Sequence, residues 1–167
     1  MELEEYRKSV DSILLSISTK IQNILKTFSE KNKITVLQFQ ILRAIYLKED
    51  ITIGNLSKNL HLDTGNVSAM CKKLEKENLV NRKRTLEDER VVILTLTKKG
   101  YDIVKNIESA LNEKYKTILE TKSEKELVEI QNILEKLNNI FSDISFLVAN
   151  KDNSKGGIID GRIYKKV

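Results

Sequence analysis

Residues Ile51 to Gly100 read ITIGNLSKNLHLDTGNVSAMCKKLEKENLVNRKRTLEDERVVILTLTKKG, and the order of elements in this stretch decides the fold. Ile51 and Thr52 read as a very short strand, and Thr52 is placed to cap a short helix through Leu60. His61 and Leu62 form a turn. Asp63 or Thr64 then caps a longer helix to about Asn78, a residue suited to the left-handed backbone of a helix end. Val67, Met70, Cys71 and Leu74 share one face of that helix, the pattern of a buried side. Gly65, Ser68, Ala69, Lys72, Lys73 and Lys76 share the other. Leu79 to Thr85 and Val91 to Thr97 read as strands, the second alternating with Val92, Leu94 and Leu96 on one side. Leu86, Glu87, Asp88 and Glu89 make a tight polar tip between them.

Helix, turn, longer helix and basic hairpin, in that order, describe a winged helix-turn-helix. That shape lays its second helix in the major groove of double-stranded DNA, where side chains near the helix start reach base edges. Thr64, Gly65, Asn66 and Ser68 are small or polar and allow close approach. Asn66 suits an adenine edge, and Thr64 or Ser68 a base or a phosphate. The helix N-terminus favours a phosphate, and Lys72 and Lys73 lie one to two turns on, placed for backbone contacts that set register. Arg82, Lys83 and Arg84 rise along the first wing strand, and Arg90 begins the return, where an arginine can enter a narrow minor groove. Asp88 would be repelled by phosphate, so its expected task is to hold Arg90 or Arg84 in a bidentate pair.

Outward from this core the chain is helical. Leu3, Tyr6, Val10, Ile13, Leu14, Ile17, Ile21, Ile24, Leu25 and Phe28 alternate threes and fours, one apolar stripe of a long helix that ends at a polar break from Ser29 to Lys33. Thr35 caps the next helix, which is expected to bury Leu37, Ile41, Leu42, Ile45 and Tyr46. Thr97 caps a helix through about Glu120, with Val104, Ile107, Leu111, Ile118 and Leu119 on its stripe. Ser123-Glu124-Lys125-Glu126 is a capping box, and Leu127, Ile130, Leu134, Leu137, Phe141, Ile144 and Val148 follow as a coiled-coil-like seam. The fold class is therefore mainly α, an α+β winged helix flanked by long N- and C-terminal dimerisation helices. The segments are 1–33 (first dimerisation helix), 34–100 (DNA-binding domain), 101–149 (C-terminal dimerisation helices) and 150–167. The last is polar and glycine-containing from Lys151 to Gly157, hence a flexible tail, although Asp160-Gly161 carries a hairpin signal.

Bulk properties agree. The 167 residues are 40% hydrophobic and 32% charged, and the absence of proline favours long helices. The net charge of +5 suits a polyanionic partner. It is unevenly spread: ten cations face six anions from Ile51 to Gly100, whereas three face five from Lys122 to Val148. One cysteine, Cys71, excludes an internal disulfide, and with His61 as the single histidine it cannot build a structural zinc site. Cys71 lies on the apolar face and reads as core, and His61 as a turn residue. The N-terminus has no signal-peptide pattern, no apolar run approaches membrane-spanning length, and the expectation is a cytoplasmic protein with no membrane partner. There is no glycine-rich phosphate loop, nucleophile elbow or clustered carboxylate pair, so neither an enzyme nor a cofactor is expected.

The wing from Arg82 to Gly100 resembles that of the MarR (multiple-antibiotic-resistance regulator) family, with a D-x-R tip at Asp88-x-Arg90 followed by Leu96-Thr97-x-x-Gly100. Gln38-Phe39-x-Ile41-Leu42 and the spacing of Leu56 to Leu74-Glu75 resemble the family's preceding helices, and the resemblance covers about Leu3 to Val148. It departs at Asn78, where the family usually has glycine, and in the tail after Asn150. The resemblance implies a homodimer joined by its first and last helices and bound to a pseudo-palindromic operator. It implies repression most often, and frequently release by small aromatic or phenolic ligands. Some relatives sense peroxide through a cysteine near the first helix, a position Cys71 does not share. Two other readings stay open on the residues alone: a winged helix turned to protein binding, and a non-specific architectural DNA binder. The first would place aromatic or aliphatic anchors on the outer face, where this chain has basic and small residues.

Overall fold

The computed structural model describes residues 2–85, 91–149, 158–159 and 162–163. The chain divides into Met1–Glu113 and Lys114–Val167, and each is taken by itself.

In the first unit α1 (Leu3–Lys31) is followed by α2 (Val36–Leu47), β1 (Ile51–Thr52), α3 (Ile53–Leu60), α4 (Thr64–Lys76), β2 (Val80–Arg84), β3 (Val92–Leu96) and the start of α5 (Lys98–Leu119). The three strands form an antiparallel sheet in the order β1-β3-β2, with Ile51 opposite Leu94 and Arg82 opposite Leu94 on the other side. Most of the core is the set the apolar spacing picks out. Ile41, Leu42 and Ile45 from α2 meet Leu56 from α3, Val67, Cys71 and Leu74 from α4, Leu94 from β3, and Val104 and Ile107 from α5.

Helices α2, α3 and α5 start where a side chain satisfies an unpaired amide. Thr35 accepts from Gln38 N–H at 3.2 Å while Gln38 Oε1 accepts from Thr35 N–H at 2.8 Å, a complete capping box. Thr52 caps α3 by accepting from Asn55 N–H, and Thr97 Oγ1 accepts from Gly100 N–H at the start of α5.

Three expectations shift. The polar break after Phe28 begins later: α1 runs to Lys31, Ser29 is fully buried inside its last turn, and the chain reverses at Lys33, whose φ is 58°. Of the α2 residues expected in the core, Leu37 is only half-buried and Tyr46 is 36% exposed, its ring beside that of Tyr101 with centroids 5.5 Å apart. Phe39 fills the core instead. The reader helix α4 ends at Lys76 rather than Asn78, since the left-handed Asn78 (φ 57°) can only follow the last helical turn.

In the second unit the last turns of α5 precede α6 (Glu124–Ala149). Ser123 and Glu126 form the expected capping box, with Ser123 N–H donating to Glu126 at 2.8 Å and Glu126 N–H to Ser123 at 3.3 Å. Those hydrogen bonds hold the Glu126 carboxyl below its ordinary range. No residue of α6 is fully buried: Leu127 and Leu137 of its apolar seam are half-buried, and Ile130, Leu134, Phe141, Ile144 and Val148 are exposed. Ile158 and Ile159 pair antiparallel with Ile163 and Arg162, the register that the Asp160-Gly161 signal predicts, although that dipeptide and the rest of the expected flexible tail lie outside the described residues. Among the described residues no helix is long and apolar enough to cross a membrane.

Candidate nucleic-acid interface

Helix α4 presents the face the spacing assigns to DNA. Thr64, Gly65, Asn66, Ala69, Lys72, Lys73 and Lys76 are exposed, Ser68 is half-buried, and Val67, Cys71 and Leu74 are buried behind them. The start of the helix is more committed than the sequence suggests. Asp63 is the N-cap, and its Oδ1 accepts from Asn66 N–H at 3.0 Å. A carboxylate of the chain itself thus holds one of the amides that a phosphate would use. Gly65 makes room for it: a Cβ there would lie 3.0 Å from Asp63 Oδ1. Thr64 is also engaged, with its Oγ1 3.0 Å from Ser57 Oγ. Ser57 donates to Gly54 O, so Thr64 supplies the proton between the two hydroxyls and keeps only acceptor capacity. Lys73 lies 4.0 Å from Glu77, a loose exposed pair.

The end of α4 is fastened by groups far away in sequence. Asn78 N–H donates to Glu75 O and Leu79 N–H to Leu74 O, the double bond pattern that closes a helix around a left-handed residue. Thr97 Oγ1 then donates to Asn78 O at 2.8 Å, Thr97 N–H to Leu79 O at 3.1 Å and Lys99 Nζ to Glu77 O at 3.0 Å. From α2, Gln38 Nε2 donates to the Glu77 carboxylate at 2.9 Å. Gly100 lies so close that a Cβ would stand 2.0 Å from Leu79 O. The Leu96-Thr97-x-x-Gly100 pattern was visible in the sequence. Its purpose, tying the reader helix to α5, was not, and Gln38 and Glu77 carried no sequence signal of their partnership.

The wing departs from expectation in one respect. Side chains alternate along a strand, so Arg82 and Arg84 point to one side of β2 and Lys83 to the other; the three do not rise as one row. Arg82 falls on the inner side with Val80. Its side chain is 17% exposed and Nη1 lies 3.2 Å from Glu75 Oε2 on α4. Arg84 and Lys83 are exposed. The expected tip contacts of Asp88 and Arg90 lie outside the described residues. Cys71 is completely buried, and burial pushes its thiol up to about 11, the nearby Arg82 charge opposing this only in part. Such a thiol carries no nucleophile at neutral pH. Among the described residues no group of three or more His, Cys, Asp or Glu is arranged to hold a metal ion.

Residues 23–107 match the family model described as transcriptional regulator SarA/Rot. The HTH-type transcriptional regulator SarZ of Staphylococcus epidermidis is 33% identical over 75% of this chain and 82% of its own. Two solved structures share the fold closely. A MarR family protein from Bacillus stearothermophilus superposes with a TM-score of 0.72 at 25% identity, over 85% of this chain and 99% of that one. Streptococcus pneumoniae FabT in complex with DNA gives 0.74 at 26% identity, over 83% and 99%.

Proposed function

We propose that this chain, which belongs to the MarR family of winged-helix transcriptional regulators, acts as a homodimeric repressor on a pseudo-palindromic operator. That it is a DNA-binding regulator and not an enzyme follows from its family; the finer reading rests on the geometry. Its main support is the outer face of α4, where small and polar residues precede Lys72 and Lys73 and no large apolar side chain intervenes. That composition suits a groove lined by base edges and phosphates and offers a protein partner no anchor.

In this reading Asn66 and Ser68 meet base edges, and Gly65 lets the backbone approach. Thr64, with only acceptor capacity left, takes the amine of an adenine or cytosine rather than a phosphate. Lys72 and Lys73 meet phosphates. Arg84 and Arg90, the latter steadied by Asp88, serve the wing.

Dimerisation is supported by what the terminal helices leave uncovered. Ile13, Ile17, Ile21 and Ile24 on α1 are exposed, as are Ile130, Leu134, Phe141 and Ile144 on α6. Stripes of this length need an apolar partner, and two-fold pairing supplies one. A small aromatic effector would find a hollow of about 480 Å³ floored by Ile45 and Leu94 and walled by Tyr46 and Tyr101.

The test is selection of random duplex DNA by the purified protein, with its mass in solution measured in parallel. A two-fold symmetric motif bound by two chains is expected. Binding with no motif would leave an architectural role, and a one-chain mass on DNA would remove the homodimer.

A further inference from the structure

Arg82 is the cation whose placement the regulator reading does not absorb. It stands in a basic wing strand, yet it turns away from solvent. Val80, two residues earlier on the same side of β2, is in the core, and the residue opposite Arg82 across the register is Leu94, completely buried. The guanidinium meets Glu75 on α4, and its Nε is buried with no hydrogen-bond partner. Glu75 itself is 43% exposed. A guanidinium this far from water and already paired is poorly placed for a phosphate. It joins the two elements that must reach the same duplex from different sides, the reader helix and the hairpin.

We propose that Arg82 is a positioning residue: its pair with Glu75 fixes the angle at which the wing leaves the reader helix, and Arg82 makes no contact with DNA. The inference rests on the reading that α4 and the wing grip one duplex together. Val80 anchors the base of the hairpin through the core, and Arg82 adds a second tie nearer the tip. Two points define a direction where one leaves a pivot. Without the tie, the exposed cations further out would meet the minor groove less often in register.

The sign of one substitution separates this from direct contact. Glu75 is an anion beside a polyanion's binding face, so on charge alone Glu75→Ala strengthens binding. It would strengthen it further if it released Arg82 to a phosphate. A positioning pair predicts the reverse. Affinity for a selected operator duplex is measured for the full chain, Glu75→Ala, Arg82→Ala and the double variant across a range of salt. Hydroxyl-radical footprints are taken alongside. Each single variant is expected to weaken binding about fivefold, the size of one partly shielded ion pair. The double variant is expected to be no weaker than Arg82→Ala, with the salt slope unchanged. Protection at the flanks of the half-site fades while that under α4 stays. Unaltered or tighter binding by Glu75→Ala overturns the inference, as does a slope lowered by about one in Arg82→Ala. Should Arg82→Ala fail to fold, Glu75→Ala at its exposed helical position carries the test alone. Absence of salt-dependent binding by the unaltered chain removes the regulator reading and this inference with it.

Discussion

The reader module and the terminal helices handle apolar residues in opposite ways. In the module α2, α3, α4 and α5 each start at a side-chain cap, and the carbonyls at the end of α4 are taken by Thr97 and Lys99 from elsewhere in the chain. Its apolar face disappears into one core. Helix α6 has equally regular apolar spacing and a full capping box, yet no residue of it is buried, and most of the α1 stripe is likewise exposed. Identical periodicity thus has two meanings. Spacing reports which residues share an apolar face; it does not report whether the same chain covers that face. The module is closed by its own contacts, and the long helices leave most of their apolar stripes exposed.

The largest test strikes the open region. Leu134→Glu together with Ile144→Glu places two charges in the α6 seam, where burial in a dimer would desolvate them. The dimer is expected to weaken by about 4 kcal/mol, roughly a thousandfold in dissociation constant. Sedimentation should then report single chains at micromolar concentration, with the melting of the reader module little changed. If mass and melting temperature both stay put, the α6 seam is not an interface. The next test strikes the closed region. Gly100→Ala adds a Cβ against the Leu79 carbonyl, a backbone atom that cannot swing aside. Alanine is the better helix former by about 1 kcal/mol, so helix propensity alone predicts a gain. The overlap should reverse the sign and cost about 2–3 kcal/mol in denaturant unfolding. A stabilised variant would mean that α5 is not clamped to the end of α4.

How much of this could be read beforehand follows from the same distinction. Local rules located the elements: Thr35, Thr52, Asp63, Thr97 and Ser123 announced their helices because capping needs only a neighbour three residues on. The reader face was legible because helical periodicity sorts Val67, Cys71 and Leu74 from Asn66, Lys72 and Lys73. What could not be read were pairings across long separations. Gln38 and Glu77 are 39 residues apart, and nothing in either marks the other. Arg82 looked like one of three successive surface cations. Strand alternation alone splits Lys83 from its neighbours, but an arginine on the inward side is legible only once Glu75 is seen to meet it. Tyr46 shared the α2 stripe with Ile45, and its half-exposed, tilted contact with the Tyr101 ring depends on where α5 comes to rest.

At Asn66 the module uses little of its surface for contacts of its own. Its backbone amide is held by Asp63 while the residue is exposed. Asn66→Ala should leave stability nearly unchanged and relax the preference at one operator position by about 1–3 kcal/mol. Repeated selection with the variant reads this directly. An unaltered motif would take Asn66 off the base-reading face and shift that task to Thr64 and Ser68.

The smallest effect concerns Cys71, and it tests how dry the closed region is. Burial raises the thiol to about 11 from an ordinary 9.0. The folded state therefore holds the proton more tightly than the unfolded chain. The sign follows: this contribution to stability is fully present below pH 9 and is lost as pH rises towards 11. At pH 7 it changes nothing, so no thiol-dependent response is expected there. By pH 10 the loss reaches about 1.4 kcal/mol for one thiol with these two values. Lysines and tyrosines titrate in the same window, so the quantity to measure is the difference between the unaltered chain and Cys71→Ala, in denaturant unfolding from pH 7 to 10.5. The gap between the two curves should narrow above pH 9, because only the unaltered chain has this thiol to ionise. A gap that stays constant would place Cys71 in contact with water and open the core behind the reader helix to solvent, against the completeness that sets this region apart from α6.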